Sequence, residues 1–168
     1  MGKKALMFVG NPNKNEDADN FYRMCSRDIG IMKGIFENSG YSVEEVKENQ
    51  LLSKLSSISS KEDFAFYYCG HGNNSKIGNF DTNEVLSRIP KTEKNKYLFF
   101  DSCSEDYFNS NADKIPSKSK IVFAKEVPYS KSIAKLIWDL DIRGKSLDKI
   151  TGQDFADIKQ NWVNVYDN

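Results

Sequence analysis

"DFAFYYCGHG", residues 63 to 72, opens on one aspartate, runs through six apolar or aromatic residues and closes on two glycines around the chain's single histidine. An apolar run this continuous fits a strand covered on both faces, since a half-exposed strand would alternate with polar residues. Such a strand belongs to a sheet with helices on either side, so strands and helices should alternate around it.

The flanking sequence does alternate. Residues 4 to 9 form a compact apolar run closed by "GNPN", which reads as a first strand and a turn. Between residues 26 and 38, Ile29, Met32, Ile35 and Phe36 recur at helical spacing, and Gly40 in "NSGY" stops the pattern. "YSVEEV" (41–46) is a second strand, and Leu51, Leu52, Leu55 and Ile58 mark a second helix before the quoted strand, the third. Beyond it, Val85, Leu86 and Ile89 predict a short helix over 82–89, and "KYLFFD" (96–101) a fourth strand that runs into "SCSED". After the polar stretch "NSNADKIPSKSK" (109–120), "KIVFAKE" (120–126) reads as a fifth strand. Ile133, Leu136, Ile137 and Leu140 give another helix, "TGQD" (151–154) a capping-box start, and "WVNVY" (162–166) a last edge strand. The expectation is one α/β domain over residues 1–168, with a mainly parallel sheet of about six strands between two helical layers.

Composition narrows the function. Lys plus Arg and Asp plus Glu each number 24, so no net field favours nucleic acid or an anionic membrane as partner. Three cysteines at wide spacing, Cys25, Cys69 and Cys103, without a CxxC, fit reduced thiols in a cytoplasm better than disulfides or zinc. A single histidine argues against a His-based metal site, and the apolar run near the N-terminus is too short for a signal peptide or membrane span. A cytoplasmic protein without cofactor is expected.

In parallel sheets, ligands bind beyond the carboxyl ends of the strands, and the residues leaving the third and fourth strands are His71 and Cys103. Neighbouring strands lie about 5 Å apart, so a thiol and an imidazole placed there can share one substrate bond. The imidazole promotes thiolate formation and later protonates the leaving amine. Backbone N–H groups of Gly72 and Cys103 are candidate oxyanion donors, and the missing Cβ at Gly72 would let a substrate carbonyl approach.

An apolar strand ending in "GHG", followed by one ending in "DSC", resembles the caspase-like cysteine peptidases of clan CD, and the "DSC" form is most similar to metacaspases. The resemblance implies a caspase-like α/β/α fold and a catalytic dyad of His71 and Cys103. In metacaspases a C-x-x-D element opening the first helix, a small residue two before the His and an Asp two before the nucleophile line an acidic pocket for a basic P1 side chain. The corresponding residues are Cys25 and Asp28 in "CSRD", Cys69 where serine is usual, and Asp101. The implied activity is endopeptidase cleavage after Arg or Lys of a protein or peptide substrate, with an activating partner protein as a further possible ligand. Two features depart from the family. "SEDY" (104–107) follows the nucleophile where H-S-G is usual, and the acidic clusters through which many metacaspases bind calcium are missing, which implies calcium independence.

Each assignment has a plainer counterpart. A lone histidine after a strand is usually a packing or surface residue, and the pairing with "DSC" is what favours catalysis. Cys69 fits core filling as well as pocket lining. Asp28 could stabilise a first helical turn, and Asp101 could cap loop N–H groups. "NEDAD" (15–19) reads as a solvated loop that could rim the pocket, and Lys114 and Lys118 as residues of a flexible loop where self-cleavage could fall. An inactive pseudo-peptidase serving as an interaction or regulatory module is the rival function, supported by "SEDY". A nucleotide- or flavin-binding domain using "GNPNKNED" ranks last, because no GxGxxG or Walker signature is present.

Overall fold

The computed structural model describes residues 2–91, 94–124, 132–139, 144–149, 154 and 163–167. In chain order these residues form β1 (Lys3–Val9), α1 (Ala18–Asn38), β2 (Ser42–Val46), α2 (Leu51–Ser57), β3 (Asp63–Cys69), β4 (Lys76–Ile77), β5 (Phe80–Asp81) and α3 (Thr82–Arg88). There follow β6 (Lys96–Asp101), α4 (Glu105–Ser110), β7 (Ser119–Ala124), α5 (Ile133–Asp139) and β8 (Val163–Asp167). Six strands make one sheet in the order β2-β1-β3-β6-β7-β8. The first five are parallel and β8 pairs antiparallel with β7.

The quoted strand explains this layering. Phe64, Phe66 and Tyr68 pack on one face with residues of α2, α3 and α4, whereas Ala65, Tyr67 and Cys69 pack on the other with α1 and α5. Residues of opposite parity point to opposite faces, and from Phe64 onward the whole strand is buried. Both faces are therefore covered, as the unbroken apolar run requires, and the α/β/α class read from the sequence is the one observed.

Three elements differ from the sequence reading. The first helix begins at Ala18, not near residue 26, and Asp17 caps it by accepting the Asn20 N–H at 3.2 Å. Its early turns bury Phe21 and Cys25 among exposed polar residues, a stripe too thin to stand out. The "NEDAD" stretch is accordingly half turn and half helix start. "SEDY", given no element in the sequence reading, opens α4, whose Tyr107 and Phe108 pack into the core. "KIGNFD" folds as the two-residue hairpin β4–β5, with Gly78 at φ +56° in its turn. The "TGQD" helix start, Leu140 and the end of "KIVFAKE" fall largely or wholly outside the described residues.

Sheet order reverses beside β1: β2 lies on one side and β3 on the other. That switch point opens a crevice at the carboxyl edge of the sheet, where ligands bind in folds of this kind. Gly10, just past β1, donates its N–H to the Cys69 carbonyl at 2.9 Å, so the crevice floor is held shut between the two strand ends.

Candidate active site

The register of β3 on β6 pairs Cys69 with Asp101, so His71 and Cys103 each stand two residues beyond paired positions. Both line a cavity of about 250 Å³ at the carboxyl edge, together with Cys25, Asp28, Cys69 and Asp101. Six of the seven residues singled out in the sequence thus share one cavity, and Gly72 stands just outside its lining.

Cys103 is exposed. The Ser104 N–H donates to the Ser102 carbonyl at 2.9 Å, which makes Cys103 the central residue of a three-residue turn after β6. The turn projects the thiol away from the sheet while its neighbours stay buried. Ser102 and Ser104 are 7 % and 0 % exposed, and their hydroxyls share a hydrogen bond of 2.7 Å.

The other two thiols are buried, with Sγ atoms 3.1 Å apart across α1 and β3. Their mutual hydrogen bond and burial push the Cys69 thiol far above the ordinary range. A thiol held in its protonated form is a poor nucleophile, so Cys69, buried beside Cys25 at the edge of the cavity, serves packing there. Under substoichiometric iodoacetamide, peptide mass mapping should find carbamidomethyl on Cys103 in at least about tenfold excess over Cys25 and Cys69. Equal labelling of all three would contradict the buried thiol pair.

His71 is held by its backbone. Its carbonyl accepts from the Tyr68 hydroxyl at 2.6 Å and from the Gly78 N–H at 2.9 Å. The Tyr68 hydroxyl needs glycines around it, since a Cβ on either Gly10 or Gly70 would stand 2.6 Å from it. Gly70 therefore makes room for the phenol that fixes His71. On the ring, Phe21 stacks at 5.4 Å between centroids and the Glu16 carboxylate meets Nε2 at 2.7 Å. Glu16 belongs to the stretch read as a solvated loop. Nothing in the spacing of one carboxylate among "NEDAD" reveals a partner 55 residues away.

Gly72 requires a revised account. A Cβ there would lie 2.5 Å from Ser104 Oγ and 3.1 Å from Ser102 Cβ, so the missing side chain admits the two serines after β6 rather than a substrate carbonyl. Gly72 bridges Ile77, and the flanking bonds Asn73 N–H to Lys76 O and Gly78 N–H to His71 O mark it as the non-hydrogen-bonded pair. The Gly72 N–H consequently points away from the hairpin strand. Gly72→Ala should cost about 1–3 kcal/mol by overpacking, and Gly72→Ala/Ser104→Ala should regain part of it, both read by chemical denaturation. Wild-type stability in the single variant would remove the close-approach account.

The acidic end of the cavity is built from two layers. Asp28 lies in mid-helix, 3 % exposed, and accepts from Arg27 Nε at 3.0 Å. Its position rules out a first-turn dipole role. Burial, opposed by Arg27, raises its carboxyl above the usual range. Asp101 accepts from the Tyr67 hydroxyl at 2.8 Å and from the α5 N–H groups of Ile133 and Ala134 at 3.0 and 3.4 Å. Its capping reading is thus observed, on a helix instead of a loop. Burial first, then the Asp28 charge, push the Asp101 carboxyl up to about 6.

Lys114 and Lys118 do not sit in a featureless loop. Lys114 ends a short 3-10 turn, and Lys118 adopts φ +56° while its carbonyl accepts from the Lys96 N–H at 2.9 Å. Lys118 lies at the amino edge of β6 and β7, about 20 Å of strand away from Cys103. In this arrangement Lys118 and Cys103 lie at opposite edges of the sheet.

No protein-family model matches the sequence, and no curated protein matches it significantly. Solved structures do match by shape. The Drosophila initiator caspase Dronc superposes with a TM-score of 0.61 at 14% identity, over 98% of this chain and 79% of that one. Caspase-1 from Spodoptera frugiperda gives 0.59 at 10% identity, over 98% and 86%. With its parallel sheet between two helical layers and these structural neighbours, the chain has a caspase-like fold.

Proposed function

We propose that the protein is a cysteine endopeptidase of metacaspase type that cleaves peptide bonds after Arg or Lys, with Cys103 as nucleophile and His71 as acid and base. The observation that carries this reading is the single cavity holding an exposed thiol, the imidazole and two buried carboxylates. The thiolate attacks the scissile carbonyl, and the imidazolium protonates the departing amine. Water, deprotonated by His71, then hydrolyses the thioester. The Gly72 and Cys103 N–H groups are the proposed oxyanion donors. The Asp28 charge makes the buried Asp101 carboxyl harder to ionise, and burial does the same to Asp28. A guanidinium or ammonium entering between them relieves that cost and gains charge-assisted hydrogen bonds. A P1 Asp would add a third carboxylate and be refused. The buried thiols Cys25 and Cys69 form the wall along the stem of the P1 side chain. No helix among the described residues is long and apolar enough to cross a membrane, and we place the enzyme in the cytoplasm.

The test is a panel of fluorogenic peptides with P1 Arg, Lys, Asp or Leu, run on freshly reduced protein with calcium and with chelator. Cleavage after Arg and Lys far faster than after Leu, with none after Asp, and indifferent to chelator, is expected. Labelling of Cys103 by a basic acyloxymethyl ketone should accompany it. Neither cleavage nor labelling would leave the pseudo-peptidase as the better reading.

A further inference from the structure

We infer that Glu16 is the positioning residue for His71, so that the site works as a Cys103–His71–Glu16 relay, an inference that rests on the proposed dyad. The carboxylate is built into the turn between β1 and α1 before it meets the imidazole. Its Oε1 accepts the Asn13 N–H at 2.9 Å, while its own N–H donates to the Asn13 carbonyl at 3.0 Å. That reciprocal turn aims Oε1 at His71 Nε2, 2.7 Å away. Phe21, on the same side of the sheet, stacks on the ring and fixes its plane.

The chemical consequence concerns the other ring nitrogen. With Nε2–H donated to a carboxylate, the neutral ring carries its lone pair on Nδ1, the nitrogen left to take the Cys103 proton. Once that proton has moved, the imidazolium lies against an anion held in place beforehand. The ion pair of thiolate and imidazolium is therefore favoured over the neutral pair. The hydrogen bond from His71 holds the Glu16 carboxyl below its usual range, so it is ionised throughout the working pH. Among the described residues around His71 the other titratable groups are Cys103 and Asp101 after and at the end of β6, Asp28 and Cys25 on α1, Cys69 on β3, Glu48 ahead of α2 and Tyr68, whose hydroxyl meets the His71 carbonyl. Glu48 spends its two oxygens on Asn11 and Asn79, at 3.0 and 2.8 Å. Glu16 hydrogen-bonds the ring directly.

A structural role would be weak here. Glu16 and His71 are 34 % and 39 % exposed, and exposed ion pairs contribute little to folding. The readout is accordingly the pH dependence of Cys103 alkylation by iodoacetamide, resolved by peptide mass mapping, which requires no knowledge of the substrate. Wild type should react well below pH 8.5, and His71→Ala should titrate as an ordinary thiol near that value. Glu16→Gln should move the wild-type profile up by about one pH unit, which is tenfold slower alkylation at pH 6. Glu16→Asp, which keeps the charge on a shorter stem, should fall between. A Glu16→Gln profile superimposed on wild type, with His71→Ala still displaced, overturns the role of Glu16 and leaves the dyad standing. Wild type and His71→Ala both titrating near 8.5 overturn the dyad itself.

Discussion

Cys103→Ala is expected to reduce cleavage of a P1 Arg peptide to the rate without enzyme, and His71→Ala to lower kcat/KM by about 10²- to 10⁴-fold. The asymmetry follows from the roles. Without a thiol no acyl-enzyme can form, whereas without the imidazole the remaining thiolate fraction still attacks, slowly, and solvent must protonate the leaving amine. Folding should be spared. Cys103 is exposed at the tip of its turn, and the His71 ring is more than one-third exposed, so each variant should unfold within about 1 kcal/mol of wild type. Cys103→Ser should be nearly as inactive as Cys103→Ala, because an alcohol loses its proton to imidazole far less readily than a thiol does. Retained activity in Cys103→Ala would require Cys25 or Cys69 as nucleophile, and both are buried, with the Cys69 thiol pushed up as well. Such a result would end the proposed mechanism.

His71 and Cys103 were legible in the sequence for one physical reason, that a parallel sheet gathers the residues leaving its strands at one edge, whereas Cys25, Asp28, Cys69 and Asp101 were singled out through the metacaspase resemblance. "DFAFYYC" and "KYLFFD" read as strands from their apolar runs, and their ends match the observed β3 and β6. His71 and Cys103 then follow from the carboxyl-edge rule, provided the two strands are neighbours. What stayed hidden depends on side chains whose partners are remote. The Gly10, Gly70 and Gly78 cradle for the Tyr68 hydroxyl unites three separate turns. The packing of Gly72 on Ser102 and Ser104 concerns serines that look interchangeable with any loop serine. The Glu16 contact needs the early start of α1, and that start was obscured because its first turns bury only Phe21 and Cys25 among polar neighbours. The α4 helix was missed for a similar reason: its apolar face is two adjacent residues, Tyr107 and Phe108, too short for a period.

Asp101→Asn separates the two tasks that one carboxylate performs, capping α5 and facing the cavity. The substitution keeps an acceptor for the Ile133 N–H at Oδ1, and the amide nitrogen in place of Oδ2 can donate to the Tyr67 hydroxyl that formerly donated there, so the one bond lost is the long 3.4 Å bond from the Ala134 N–H. Scaffold and shape therefore survive while the charge is lost. Removing one partner of a desolvated charge pair costs about 2–4 kcal/mol, so kcat/KM for a P1 Arg substrate should fall about 30- to 1,000-fold. A P1 Leu substrate should change by less than threefold or so, its side chain offering nothing for the charge to act on. The pH dependence carries the same sign. The Asp101 carboxyl, raised to about 6 by burial and by Asp28, gains its proton as pH falls through that value and then no longer attracts a cation. For wild type, kcat/KM on the Arg substrate should therefore show an acid limb near 6 that the Leu substrate lacks. The limb should be weaker in kcat, because bound Arg favours the ionised acid, and it should vanish in Asp101→Asn. Stability runs the opposite way. A carboxyl raised in the folded state contributes most below its unfolded value and loses that contribution as pH rises through about 6, so the thermal midpoint of wild type relative to Asp101→Asn should improve from pH 7 to pH 4. Equal losses on Arg and Leu substrates would instead assign Asp101 to the α5 cap alone, leaving Asp28 as the sole charge for P1.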